Sequence, residues 1–179
     1  MKKKILSVLT VLLLTTMLVS PASARGNIKL AGGANNVEWN LGSLIAKATL
    51  IGLGSQDVTV VLDASGIPAI TCTNNGGNDV PGQSSPKIFA SGEQDLLGNS
   101  PIRKNGKSPF NVETDDPETI PWDVAGCPNS NWTGRIDFIF WTNAMITVKN
   151  LATGEVLLQQ KYTCVTTRNP DTVSCTPAQ

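Results

Sequence analysis

The chain has 179 residues, with 14 Lys+Arg, 14 Asp+Glu, four cysteines and no histidine, for a formal net charge of zero. The missing histidine excludes Ser-His-Asp and Cys-His catalytic machinery, His-ligated zinc and an imidazole pH switch. Balanced charge argues against a phosphate-binding basic surface, so nucleic acid is not an expected partner.

Met1-Lys2-Lys3-Lys4 forms a positive start, Ile5 to Val19 is apolar apart from Ser and Thr, and Pro21 precedes Ala22-Ser23-Ala24. That three-part order predicts a secretory signal peptide over 1–24, cleaved after Ala24. No later segment is apolar enough to predict a membrane span. Cleavage would leave 11 basic against 14 acidic side chains, a net charge of −3. The expected location is therefore secreted and extracellular.

Residues 25–42 read as an irregular N-terminal arm, although Val37, Trp39 and Leu41 alternate as an edge strand would. The body, 43–164, is dominated by period-two hydrophobic patterns. Strands are predicted at 43–53, 56–63, 66–73, 86–92, 107–113, 132–142, 144–150 and 155–164. Turn clusters separate them, including Asp63-Ala64-Ser65-Gly66, Asn74 to Asn78, Lys104-Asn105-Gly106-Lys107 and Asn150 to Gly154. Within 132–142 the alternation places Trp132, Ile136, Phe138 and Phe140 on the core face and Trp141 on the other. Such strands imply an all-β fold of about 7–9 strands, an antiparallel sandwich or barrel.

Between the strands, Asn74 to Asn78 is glycine-rich but lacks the Lys-Ser/Thr and helix of a phosphate loop, so it reads as a tight turn. Glu113-Thr114-Asp115-Asp116-Pro117-Glu118 carries four carboxylates. Clustered oxygens of this kind suit calcium, with Asp115, Asp116 and Glu118 as candidate ligands. The spacing is not that of an EF-hand, and a solvated acidic loop is the plainer reading; no other cofactor is expected. The loop 114–131 contains Pro117, Pro121 and Pro128 and has room for one helical turn at Ile120 to Ala125. Trp122 within it reads first as a plug holding the loop onto the sandwich. An exposed Trp can also stack on a sugar ring or anchor a partner, which makes Trp122 and Trp141 the candidate ligand-binding residues.

All four cysteines, Cys72, Cys127, Cys164 and Cys175, follow the signal segment, and an even number in an exported chain predicts two disulfides. Three pairings are open; Cys72–Cys127 with Cys164–Cys175 is favoured, the second closing a polar tail loop within 165–179. Without a C-x-x-C pair, a four-cysteine zinc site is a weak alternative.

Three stretches then carry a family resemblance. Gly52-Leu53-Gly54-Ser55-Gln56-Asp57-Val58-Thr59-Val60 reads as GLG-DVTV, and Cys127-Pro128-Asn129 with Asn131-Trp132-Thr133 as CPN-WT. Cys72-Thr73-Asn74-Asn75-Gly76-Gly77-Asn78 with Pro81-Gly82-Gln83 reads as CTNPGGN-PGQ, with Asn75 in the place of proline. Together they resemble a group of uncharacterised small secreted bacterial proteins with an Ig-like β-sandwich. The resemblance implies export, an Ig-like sandwich and a Cys72–Cys127 pair, and it supplies no catalytic residue.

The expected function is a secreted, non-catalytic binding or structural module whose partner is an extracellular glycan or protein. The alternative is a small extracellular hydrolase using paired carboxylates. That alternative requires Glu113, Asp115 or Glu118 in one cleft with Asp137 or Asp123. A third reading, an inhibitor presenting the Cys164–Cys175 loop, has no residue that singles it out.

Overall fold

A computed structural model describes residues 27–84 and 86–178; the predicted signal peptide lies outside the described residues. Eleven strands appear in chain order: β1 (Lys29–Leu30), β2 (Glu38–Asn40), β3 (Ile45–Ile51), β4 (Val58–Asn74), β5 (Asp79–Pro81), β6 (Ile88–Leu96), β7 (Lys107–Glu113), β8 (Thr119–Ile120), β9 (Trp132–Asn150), β10 (Val156–Thr167) and β11 (Thr172–Pro177). One helical turn, α1 (Trp122–Ala125), interrupts them. They form two antiparallel sheets packed face to face, the all-β sandwich that the alternation predicts.

In the smaller sheet β3 is central, with β7 on one edge and β1 and β2 on the other. The alternation at Val37, Trp39 and Leu41 is thus an edge strand inside the arm, Trp39 pairing with Ala46. In the larger sheet β4 and β9 lie side by side along their full lengths. The outer edge of β4 carries β6 and β5, and that of β9 carries β10 and β8, with β11 beyond β10.

Two predicted breaks do not exist. The stretches 56–63 and 66–73 are one strand, β4, and 132–142 and 144–150 are one strand, β9. Asp63 to Gly66 has turn composition, yet all four residues pair with β6 on one side, and β9 flanks them on the other. Gly66 is needed there for space: a Cβ would stand 2.7 Å from the Phe140 carbonyl oxygen. Pro68, which has no N–H to donate, falls between the end of β6 at Gly66 and the start of β5 at Thr71.

On β4 the inward residues are every second one from Val58 to Cys72, without interruption. Opposite them β9 has two extra residues. The register slips between Ser65 and Gly66, which leaves Thr142 unpaired, and between Ala69 and Ile70, which leaves Asp137 unpaired. Each bulge shifts the inward phase by one residue, so Ile139 and Trp141 face the core while Phe138 and Phe140 face out. The expectation that Phe138 and Phe140 are core and Trp141 is on the opposite face is therefore corrected.

The core between the sheets is built from Leu44, Leu50, Leu62, Ile146 and Trp141, all essentially inaccessible. Each such aliphatic side chain contributes roughly 1.5–3 kcal/mol by leaving water. A satellite cluster of Ile70, Cys72, Ala125 and Cys127 lies at one end, with Ile120 and Trp132 against it. The segment beyond 164 is not a loop. β10 continues to Thr167, and β11 returns antiparallel with Cys175 directly opposite Cys164.

Both disulfides pair as favoured, Cys72–Cys127 and Cys164–Cys175. Their sequence separations are 55 and 11 residues. Chain-entropy scaling assigns about 4 kcal/mol to the longer loop and about 3 kcal/mol to the shorter. Urea unfolding of the Cys72→Ala/Cys127→Ala and Cys164→Ala/Cys175→Ala double variants is expected to show both losses, the first larger. A Cys164/Cys175 variant that loses more than the Cys72/Cys127 variant contradicts this ordering.

Candidate functional site

Trp141 is 1% exposed and packs in the main core, so it is withdrawn as a ligand-binding residue. Trp122 stays 39% exposed at the start of α1. It is not the plug: Ala125 and Cys127 fill that role with Ile120, and Ala125 packs where Gly134 leaves room for it. The two tryptophans share no exposed patch.

The acidic loop is tied down at its start. Thr114 is buried and joins Leu44 through two backbone contacts: its N–H donates to the Leu44 carbonyl at 3.0 Å, and its Oγ1 accepts from the Leu44 N–H at 3.0 Å. The Thr114 hydroxyl lies 2.6 Å from Asp116 Oδ1. The Asp115 N–H donates to Ser91 O at 3.0 Å, which brings the loop onto β6. Asp116 and Glu118 line a depression of about 280 Å³ with Asp137, so Glu118 and Asp137 do share one concavity. Burial lifts the Asp116 carboxyl above the usual range; the Thr114 hydrogen bond opposes this, and Glu113 and Asp115 add to it. Asp137 goes the other way. Burial would raise it, but hydrogen bonds from Thr71 and Arg135, with the charges of Arg135 and Arg168, leave it lowered. Its Oδ2 accepts from Thr71 Oγ1 at 2.5 Å and its Oδ1 from Arg135 Nε at 3.0 Å.

The three proposed calcium ligands do not converge. Among the described residues no three His, Cys, Asp or Glu side chains stand where they could hold one metal ion. Asp115 is held by its backbone to β6, while Asp116 turns to Thr114.

Among the described residues the most exposed large apolar side chain is elsewhere. Phe89 of β6 is 72% exposed, on the outer face of the larger sheet, with Lys87 Nζ 5.5 Å from its ring centroid. Strand register puts Phe89 opposite Ser65, Ser65 opposite Asn143, Asn143 opposite Thr163 and Thr163 opposite Thr176. These five side chains form one row across five strands. A shallow depression of about 590 Å³ beside the row is lined by Asp63, Lys87, Phe89, Met145 and Lys161. Ile67 and Val165 are also exposed on this face, and Phe138 and Phe140 meet edge-to-face at 5.0 Å with Arg168 over Phe138. The outer face of the larger sheet thus carries several exposed aromatic and aliphatic groups.

The strand predicted at 86–92 corresponds to β6, and Phe89 is not among the candidate residues of the sequence. The signal was present: Ile88 and Ala90 flank it as core residues, so Phe89 must point away from the core. The row itself was not readable, because it depends on the register of five strands.

No protein-family model matches the sequence. No curated protein matches it either. A solved structure that does match is a β-glucuronidase of Bacteroides uniformis, at 11% identity and a TM-score of 0.33. The match covers 78% of this chain and 14% of the β-glucuronidase chain. At that score the likeness carries no argument. Among the described residues no helix is long and apolar enough to cross a membrane.

Between the sheets, Tyr162 packs against Trp39 with ring centroids 4.9 Å apart. Its hydroxyl is buried without a hydrogen-bond partner among the described residues. Desolvation of the phenolate pushes its pKa up to about 12. The folded state thus holds the proton more tightly than the unfolded chain. This contribution to stability is complete below the ordinary tyrosine pKa of about 10 and is lost as pH rises toward 12. Tyr162 is the only tyrosine, so absorbance at the phenolate band reports it alone. Titration is expected near pH 12 or with alkaline unfolding; a midpoint at the ordinary value contradicts this burial.

Proposed function

We propose that the protein is an exported, non-catalytic module that docks to an extracellular partner through the outer face of its larger sheet. The observation that carries this reading is Phe89, 72% exposed on an open sheet face beside the 590 Å³ depression. An aromatic ring of that area left in water has a use in recognition rather than in stability. Export is supported by the signal-like order of residues 1–24 and by the use of all four cysteines in disulfides. The non-catalytic part is supported by the absence of histidine and by the engagement of the Asp116 and Asp137 carboxylates with neighbouring side chains.

Co-sedimentation of the purified protein with the envelope fraction of its producing cells tests this reading. Wild-type protein is expected in the pellet, and Phe89→Ala is expected to weaken binding about tenfold, the loss of an aromatic anchor that a partner buries. Asp123→Ala, on the exposed surface of α1, is expected to bind as wild type. Unchanged binding of Phe89→Ala overturns the reading.

A second reading, the carboxylate hydrolase, is favoured by one observation: Asp116 and Asp137 line the same depression with pKa values displaced in opposite directions. In that reading Asp116 is the acid and Asp137 the ionised partner. Turnover of aryl glycosides that disappears in both Asp116→Asn and Asp137→Asn would replace the binding proposal with this one.

A further inference from the structure

We infer that the partner on the outer sheet face is an anionic polysaccharide strand lying across the strands along the Phe89–Ser65–Asn143–Thr163–Thr176 row. The inference rests on the docking reading above and names its ligand class.

The shape of the site comes first. The five residues of the row are adjacent pairs in the sheet register, so they run perpendicular to the strands. Four inter-strand spacings of about 4.8 Å give a track of about 19 Å. The depression along it is open to solvent rather than enclosed, which suits a linear polymer better than a compact ligand or an inserted hydrophobic side chain.

The chemistry of the row comes second. One end is an exposed aromatic ring, a platform for the apolar face of a sugar. Ser65 is buried, and the exposed remainder, Asn143, Thr163 and Thr176, are short hydroxyl and amide groups, each able to donate and accept, as sugar hydroxyls require. Asn143 Nδ2 donates to Thr142 Oγ1 at 3.0 Å, which leaves its carbonyl oxygen free. The hydroxyls of Thr163 and Thr176 have no hydrogen-bond partner among the described residues.

Charge decides the ligand class. Lys87 and Lys161 border the depression beside the row, and Arg168 lies over Phe138 on the same face. None of the three forms an ion pair within 4.0 Å among the described residues. The carboxylates facing the same way keep their negative charge, because a hydroxyl donor orients a carboxylate without neutralising it. Asp63 accepts from Ser91 at 2.8 Å, Asp95 accepts from Thr59 at 2.6 Å, and Asp137 is held by Thr71 and Arg135. Glu93 stands further along β6, beyond Ser91. At the depression itself Lys87 and Lys161 stand against one carboxylate, Asp63, and this local excess of positive charge on a chain whose expected mature charge is −3 selects an anionic partner. Lys87 sits over the Phe89 ring, so a sugar packed against Phe89 brings an acidic substituent next to that ammonium group.

Affinity electrophoresis of the purified protein tests the inference. The gels contain polygalacturonate, a ribitol-phosphate teichoic acid, neutral dextran or poly-L-glutamate. Retardation is expected with one or both anionic polysaccharides, and which one answers tells carboxylate from phosphate recognition. Little retardation is expected with dextran or poly-L-glutamate. Phe89→Ala and Lys87→Ala/Lys161→Ala are each expected to weaken retardation about tenfold, with melting curves unchanged because all three side chains are exposed. Retardation should also fade in about 0.5 M salt. Two results overturn the inference: no retardation by either anionic polysaccharide, or retardation by poly-L-glutamate or dextran that equals theirs. Envelope binding that still depends on Phe89 in that case leaves the docking reading standing, whereas its independence from Phe89 removes both.

Discussion

Strands β4 and β9 run side by side over their whole lengths, yet β4 has 17 residues and β9 has 19. Every other strand of the larger sheet is attached to one of these two, or to β10 beyond them, so the two surplus residues constrain the rest. They are absorbed as bulges at Asp137 and Thr142. Neither is left idle. Thr142 Oγ1 donates to the Ser65 carbonyl at 3.1 Å, and Asp137 is clamped between Thr71 and Arg135. Two one-residue shifts cancel, so the facing pattern is ordinary at both ends of β9 and inverted only from Phe138 to Trp141. That short inversion puts a tryptophan into the core and two phenylalanines onto the outer face.

The ends of the same ladder locate the satellite core. Cys72 lies opposite Gly134 near one end of β4, and its disulfide to Cys127 pulls α1 over that end. Ala125 then packs on Gly134, where any side chain would collide with the Ala125 methyl. The acidic loop is held at its other side by Thr114 on Leu44. Between these anchors the loop has limited freedom, and Asp116, Glu118 and Asp137 become neighbours through the fold rather than through spacing.

What the sequence made legible was whatever depends on local alternation. The strands at 107–113 and 155–164, the hairpin turn at Asn150 to Gly154 and the single helical turn after Ile120 all follow from period and turn chemistry. Errors arose where a tertiary neighbour overrides local preference. Asp63 to Gly66 resembles a turn, but pairing on both sides keeps it extended. The alternation read through Trp132 to Phe140 was right up to Ile136 and wrong beyond it, because a bulge is set by the partner strand and leaves no mark in one sequence. The polar segment after Cys164 reads as a loop because β11 is an edge strand rich in Ser and Thr, with few apolar residues to show its period. For the site, Phe89 was visible as the odd member between Ile88 and Ala90, whereas its polar neighbours on four other strands were not.

The outer face divides into two aromatic regions with different availability. Phe138 and Phe140 are partly buried, stacked edge-to-face on each other and covered by Arg168, so their area is largely satisfied within the chain. Phe89 has the Lys87 ammonium group over its ring. A cation–π contact at an exposed site is worth about 0.5–1 kcal/mol, a small cost for a partner that supplies an anion to the same ammonium group. In the proposed docking Lys87 therefore both contacts the ring in the free protein and remains recruitable. A neutral residue there would leave Phe89 as a bare apolar patch, open to indiscriminate association. In the proposed docking the lysine makes that patch favour partners carrying both an apolar face and negative charge.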